Sequence, residues 1–165
     1  MKTSSPIRIR PVRASARALA VAVALLAAAA LAEIAKLTDV EGIGAANAQK
    51  LGKAGIATPA DLLKQGATSA GRKAIAEKTG ISAEQIGRWV NRVDLSRVKG
   101  IGTQYSELLE AAGVDTAKEL ARRNPDNLLE TLKSTNDAKK LVRQLPTKAQ
   151  VEGWIAGAKT LPPVE

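Results

Sequence analysis

The sequence predicts an all-α protein, a compact bundle of short helices built from two copies of one unit. Apolar residues recur at helical spacing through most of the chain, and no stretch shows the strict alternation of a β-strand. Glycines and capping residues divide this pattern into many short helices, which depend on packing rather than on intrinsic propensity. An internal repeat of this kind constrains the architecture before any single helix is assigned.

The repeat is centred on two Gly-Ile-Gly segments, at residues 42–44 and 100–102. The register that places Leu37 on Leu95 also aligns the turns, the apolar positions and the glycines that follow them. Each segment lies between two runs with helical apolar spacing, and glycine tolerates the tight turns that other residues avoid. We therefore predict a hairpin between two helices in each copy.

The two tryptophans extend the repeat in a second, longer register, which aligns Trp89-Val90 with Trp154-Ile155. The second copy therefore carries a short insertion between its hairpin and its tryptophan helix. We assign residues 33–94 to the first repeat and residues 95–165 to the second. Both tryptophans lie on apolar helical faces and are predicted to be core residues. Because each repeat is small, we expect the two to share one core.

Capping signals place the helices of the first repeat. Thr58-Pro59 supplies an N-cap and a proline at the first helical position, and Ser82 to Gln85 follow a capping-box pattern. Glycines mark the ends of the helices between them. The predicted helices span residues 33–40, 45–53, 59–64, about 68–78, and a longer stretch after residue 82 with Ile86, Trp89, Val90 and Val93 facing inward.

The second repeat follows the same rules. Thr116 to Glu119 and Thr147 to Gln150 form capping-box patterns, and Asn124-Pro125 opens another helix. The predicted helices are residues 103–111, a segment after residue 116, one from residue 125 with Leu128, Leu129 and Leu132, a separate helix over residues 137–145, and a last helix with Val151, Trp154, Ile155 and Ala158 inward.

The composition excludes several kinds of chemistry. The chain has no cysteine and no histidine, so it has no thiolate nucleophile and lacks the commonest general base and the commonest metal ligand. Carboxylate pairs such as Glu107 and Glu110 are typical of solvated helix faces. We therefore predict that the protein is not an enzyme and takes no metal, no other cofactor and no small-molecule substrate.

Charge is distributed unevenly along the chain. Residues 1–32 carry five basic residues and no acidic one, whereas residues 33–165 carry 20 basic and 16 acidic residues. The folded part is only mildly basic, so the sequence pI near 10.0 overstates the case for an anionic partner.

Residues 1–32 form a basic, alanine-rich leader that fits several interpretations. Its charged start, its uncharged run over residues 18–32 and the small residues before Glu33 outline a secretory signal peptide. The run is short and weakly hydrophobic for a membrane span. The other interpretations are a transit peptide, a helical extension, and a misassigned start with translation beginning near Leu31. We expect a cytoplasmic protein, with export or membrane anchoring through the leader as the alternative.

Each hairpin leads into a helix, whose first N–H groups suit an anion such as phosphate. The spacing of apolar residues and glycines, with small Ala48 or Ser106 further on, resembles the helix-hairpin-helix motif. That resemblance implies main-chain N–H groups that hold the phosphates of one DNA strand without reading bases. Carried over to this sequence, the donors are Gly42, Gly44, Ala45 and Ala46 in the first copy and Gly100, Gly102, Thr103 and Gln104 in the second.

The two hairpins differ in charge. Lys99 precedes the second turn and Arg97 lies nearby, whereas Glu41 precedes the first turn and would repel a phosphate. Lys50 and Lys53, on the helix after the first turn, are expected to compensate for that acid. We predict that the second hairpin is the better phosphate site.

A further resemblance rests on segments spread through the folded part, at residues 41–44, 62–63, 66–67, 71–72, 79–81, 89–91, 99–102, 109–114, 119–121, 123–125 and 141–143. Through these segments the chain from about residue 33 to residue 162 resembles a bacterial family, the domain of unknown function 4332. The resemblance implies a helix-hairpin-helix fold but no established activity. Members of that family begin close to the equivalent of Glu33, which favours the misassigned start.

These patterns favour a non-catalytic module that binds double-stranded DNA, or structured RNA, through backbone phosphates. Two other hypotheses stay open. The first is a protein–protein scaffold in which the hairpins are only turns, and the second is an exported DNA-capture protein if the leader is real. A scaffold would show no salt-dependent affinity for duplex DNA, which distinguishes it from the nucleic-acid hypotheses.

Overall fold

The computed structural model of the protein describes residues 35–164, and these residues form helices and connections without a β-strand. The prediction of an all-α bundle of short helices is confirmed. The leader lies outside the described residues, and within them no helix is long and apolar enough to cross a membrane. The elements are a 3-10 turn η1 (Leu37–Asp39), then α1 (Ala45–Lys53), α2 (Pro59–Gly66), α3 (Ser69–Thr79), α4 (Ala83–Ser96), α5 (Thr103–Ala111), α6 (Ala117–Leu120), α7 (Pro125–Lys139) and α8 (Lys148–Thr160).

Side chains cap six of these helices at the amino end. Each cap accepts a hydrogen bond from an N–H of the first turn, which otherwise lacks a partner within the helix. The sequence predicts five of these positions and leaves Thr68 and Ser69 as alternatives for the sixth, where Thr68 is the cap. At the start of α2, the hydroxyl and N–H of Thr58 both donate to Asp61, and these bonds lower the pKa of Asp61 from its usual value. The capping residues are Thr58, Thr68, Ser82, Thr116, Asn124 and Thr147.

The buried apolar residues form two clusters. One lies in the first unit, between Leu37 and Val93, and the other in the second unit, between Leu95 and Ala158. The expectation of a single shared core is therefore wrong. In the first unit α2, α3 and α4 pack on one another, and in the second α8 packs on α6 and α7. Each unit closes a core around its own tryptophan, and α4 and α5 meet between the units.

Polar contacts join the two units at the end of α4. The Oδ1 atom of Asp94 lies 2.7 Å from Nη1 of Arg97, and its Oδ2 atom accepts from the N–H of Ala117 at 2.8 Å. Earlier on the same helix, Nε of Arg92 lies 2.8 Å from Oε2 of Glu110. All four side chains are largely buried, and burying charges is costly unless they are paired and hydrogen-bonded as these are. The boundary between the cores is therefore charged rather than apolar.

The predicted helix over residues 137–145 is wrong. α7 runs into that segment but ends at Lys139, and the next residue, Lys140, adopts the left-handed conformation with a φ of 54°. The Asn136 side chain then donates to the Val142 carbonyl at 3.1 Å and accepts from the Val142 N–H at 2.9 Å. This side-chain clamp replaces helical bonding. The chain over residues 140–147 is consequently a loop, which we name the insertion loop.

The helix predicted over residues 33–40 is also shorter than expected. Only η1 forms, although Leu37 and Val40 are buried as the apolar spacing predicts. Glu33 and Ile34 lie outside the described residues. The other predicted helices agree with the structure to within about two residues at each end, which is ordinary variation for helix boundaries.

Candidate functional site

Both Gly-Ile-Gly segments form the same turn. In the first unit, the N–H of Ile43 donates to the Val40 carbonyl at 3.0 Å, and Gly42 has a φ of 84°. In the second, the N–H of Ile101 donates to the Val98 carbonyl at 3.0 Å, and Gly100 has a φ of 88°. A bond from the fourth residue to the first, with glycine at positive φ in third place, is the pattern of a type II turn. The two hairpins are equivalent in their backbone.

A tryptophan lies directly against each turn. An ideal Cβ on Gly42 would come 3.1 Å from Nε1 of Trp89, and one on Gly100 would come 3.1 Å from Nε1 of Trp154. Both tryptophans are buried, as the sequence predicts. Positive φ and the adjoining indole together require glycine at both positions. These glycines are therefore needed by the fold, whatever else the hairpins do.

The helices that follow the turns begin at glycines and have no side-chain cap among the described residues. Gly44 is the N-cap of α1 and Gly102 the N-cap of α5. Helical bonding starts with Ala48 donating to Gly44 and Ser106 donating to Gly102, both at 3.0 Å. The N–H groups before those bonds have no helical acceptor and carry the positive end of the helix dipole. These two helix ends are open to an external acceptor, in contrast to the six capped ones.

All eight predicted donors belong to exposed or half-buried residues of these two segments. Lys99 is the exposed second residue of the second turn, and the exposed residue at the same position of the first turn is Glu41. The second hairpin therefore combines open N–H groups with a cation, and the first combines them with an anion. The predicted donors that are exposed or half-buried are Gly42, Gly44, Ala45, Ala46, Gly100, Gly102, Thr103 and Gln104.

The structure does not bring Lys50 and Lys53 to the first hairpin. Both lie in the last turn of α1, about 8 Å and 12 Å along the helix axis from Ala45 at its start. There they complement the negative end of the helix dipole. The main chain of both lysines therefore lies at the end of α1 that is away from Glu41.

Arg97 is not a surface cation. It is only 7% exposed, its Nη1 atom pairs with Asp94, and its Nη2 atom donates to the Pro162 carbonyl. A side chain engaged in this way is unavailable to an external phosphate. Sequence position alone placed it near Lys99, but Arg97 is buried whereas Lys99 is exposed. Arg97 is therefore removed from the candidate site.

Sequence reasoning missed Arg92, which supports the first hairpin from behind. Its Nη1 atom donates to the Glu41 carbonyl at 2.7 Å, and its Nη2 atom lies 3.7 Å from Oε1 of Glu107. The arginine therefore ties the first turn to the second unit. A comparison of the two repeats could have identified Arg92 as a difference between the units. The register that aligns the two tryptophans places Gly157 at the position of Arg92, and glycine has no side chain to make such contacts.

Other kinds of site find little support in the part of the chain that the structure describes. No group of three or more acidic residues is placed to hold a metal ion between residues 35 and 164. Tyr105 is half-buried beside the second hairpin, and its ring centroid lies 5.0 Å from that of Trp154. One part of the tyrosine therefore packs on the tryptophan and the other part is exposed to solvent.

The fold and these two hairpins define an all-α protein of two similar units, each with a glycine turn against a tryptophan and an uncapped helix start. The chain belongs to the family described as a domain of unknown function, DUF4332, whose profile matches residues 41–161. The family resemblance expected from the sequence is confirmed. No curated protein and no solved structure matches the chain.

Proposed function

We propose that the protein is a non-catalytic, tandem helix-hairpin-helix module that binds double-stranded DNA through its backbone phosphates. The observation that carries this proposal is the pair of open helix ends at Gly44 and Gly102. A helix N-terminus with unpartnered N–H groups and a positive dipole end is suited to phosphate. Two such ends occur in the chain, one in each unit, and each suits one phosphate.

The chemistry of the site favours binding without sequence preference. Its donors are main-chain N–H groups, which recognise phosphate oxygens but carry no information about base edges. Lys99 adds charge at the second hairpin, and a lysine acts there as a point cation. Since the folded part has only a small excess of basic residues, we expect modest affinity that weakens steeply with salt.

The proposal is tested by deleting single main-chain donors. Thr103→Pro removes the first N–H of α5, and Ala45→Pro removes the one at the start of α1. Proline is favoured at the first helical position, and the preceding glycines are extended, as a residue before proline should be. The helices should therefore keep their stability. Binding of a labelled mixed-sequence duplex by the full chain is measured by fluorescence anisotropy at several salt concentrations.

We expect Thr103→Pro to weaken binding about tenfold or more, because a hydrogen bond to a charged group is worth about 1.5–3 kcal/mol. Thr103→Ala retains the N–H and should bind like the natural chain. The leader contributes the same charge in every variant, so the comparison isolates the hairpin. If both proline variants bind normally, the hairpins do not hold the phosphates. If the full chain fails to bind the duplex even at low salt, the hairpins are structural turns, and the result favours the protein–protein scaffold.

A further inference from the structure

Positive charge in the second unit is concentrated in one segment. Residues 133–148 carry five basic residues and a single acidic one, Asp137. Among the described residues, Lys148 pairs with Asp126 at 2.6 Å, neither Lys139 nor Arg143 forms an ion pair, and the contact between Lys140 and Asp137 is a long one of 3.8 Å between exposed side chains. Exposed pairs of this kind contribute little. The segment therefore presents a strong excess of positive charge to solvent.

The insertion loop at the end of this segment lies beside the second hairpin. The Tyr105 hydroxyl donates to the Gln144 carbonyl at 3.3 Å, and the same ring packs on Trp154, which contacts Gly100. Tyr105 is also the third residue of α5, so it belongs to the first turn of the helix, where the open N–H groups lie. One tyrosine side chain thus connects the loop to the helix end that would hold a phosphate.

The insertion loop is held in one conformation by its own contacts. Asn136 bonds both the N–H and the carbonyl of Val142, which is buried, and Leu141 and Leu145 pack against the second core. Arg143 lies between these anchors and is exposed. Because these contacts hold the loop backbone, binding through Arg143 would cost the rotamer entropy of its side chain but little backbone entropy, which favours its use in recognition.

The first unit has no counterpart to this arrangement. Its connection between α3 and α4 is only residues 80–82, which carry no charge. In the register that aligns the two Gly-Ile-Gly turns, the position of Tyr105 is taken by Asn47, which has no aromatic ring to reach a loop. The second unit thus has extra residues in the region that carries the positive charge, and it has the tyrosine whose contact holds that region beside the hairpin.

We propose that the insertion loop extends the second hairpin into one continuous phosphate-binding surface, in which Arg143 and Lys140 hold phosphates next to the one held by α5. The partner is the same nucleic-acid duplex, so this inference rests on the proposed function. It makes the second unit the principal contact and the first unit the subsidiary one.

The test compares charge removal in the two units. The double variant Lys140→Asn with Arg143→Gln removes two cations from the insertion loop, and asparagine tolerates the left-handed conformation of residue 140. The control is Lys73→Gln with Lys78→Gln, which removes two exposed cations from α3 of the first unit. The full chain carries each change, circular dichroism checks folding, and anisotropy with the same duplex gives the affinity at each salt concentration.

We expect the insertion-loop variant to lose about tenfold or more in affinity near 0.1 M salt and to lower the log–log salt slope by about 1.8, since each phosphate contact contributes about 0.9. The control variant should change the slope by less than half of that. If the two variants lose the same affinity and the same salt slope, the inference is overturned, because the losses would then reflect the net charge of the protein and not a contact of the insertion loop. Thr103→Pro distinguishes this inference from the proposed function. If Thr103→Pro weakens binding and the insertion-loop variant binds normally, the hairpin proposal stands and this inference is rejected. No binding by any form would overturn both.

Discussion

The two hairpins share one backbone and differ in their surroundings. Both have a glycine at positive φ, 84° at Gly42 and 88° at Gly100, against a buried tryptophan, and both lead into an uncapped helix. Around this common frame the first unit places Glu41 at the turn, with its carbonyl held by Arg92. The second unit places Lys99 at the turn and the insertion loop beside it.

This difference shows which features the fold requires and which it leaves open. Glycine recurs at these turns because positive φ strains any other residue and a Cβ at Gly42 or Gly100 would come 3.1 Å from the indole nitrogen of a tryptophan. Of the residues that differ, Glu41 and Lys99 are exposed, where a change of charge costs the fold little, whereas Arg92 is largely buried. Arg92 ties the first hairpin to the second unit, so the proposed function depends more on the second hairpin, where Lys99 lies.

The largest expected effect comes from removing the tryptophan of one unit. Trp154→Ala should lower the free energy of unfolding by about 3–5 kcal/mol, and Trp89→Ala by a similar amount, because each deletes a large buried side chain. The chain has two tryptophans, so each variant retains one as a fluorescent reporter of the other unit. Urea titrations followed by that fluorescence and by circular dichroism compare the damaged unit with the intact one.

Because the two cores are separate, we expect the remaining tryptophan to report a transition that moves much less than the loss of helix. Trp154→Phe is the control, since it keeps an aromatic ring in the second core and should cost less. Coincident fluorescence and circular-dichroism transitions, both at the lowered midpoint, would contradict separate units. They would show instead that the contacts of Arg92 and Asp94 couple the units into one cooperative structure.

Much of this architecture can be predicted from sequence because its signals are local. The N-caps at Thr58 and Thr147 and the helix over residues 45–53 follow from side-chain and glycine positions within a few residues. The failures involve residues that are distant in sequence or unusual in backbone. Periodicity could not show that Lys140 would adopt a left-handed conformation. The burial of Arg97 involves a hydrogen bond to the carbonyl of Pro162, which lies far along the chain.

The candidate site could be predicted only in outline for the same reason. The glycine pattern indicates both helix ends, because the donors belong to the main chain. The grouping of cations around them depends on tertiary contacts. Tyr105 brings the insertion loop to the second hairpin, and the length of α1 carries Lys50 and Lys53 away from the first.

A smaller effect on stability should separate strain at the turn from contact with the tryptophan. Gly100→Ala forces a side chain into positive φ against Nε1 of Trp154, whereas Gly113→Ala meets the same φ problem with nothing within 4 Å. We expect about 1 kcal/mol of destabilisation for Gly113→Ala and about 2–3 kcal/mol for Gly100→Ala, measured by urea denaturation. Equal losses would mean that the indole yields and that only the backbone conformation requires glycine.

The smallest effect is on affinity, and it tests whether charge is what distinguishes the hairpins. Glu41→Lys gives the first turn the cation that Lys99 gives the second, on an exposed side chain whose main-chain contact to Arg92 is retained. Stability should change little. Duplex binding should strengthen severalfold at low salt, and the log–log salt slope should steepen by about 0.9 if the new lysine gains one phosphate. A lysine at Thr38, also exposed but before the turn, controls for added charge alone. If Thr38→Lys and Glu41→Lys strengthen binding equally, the first hairpin makes no specific contact, and the duplex is held by the second unit alone.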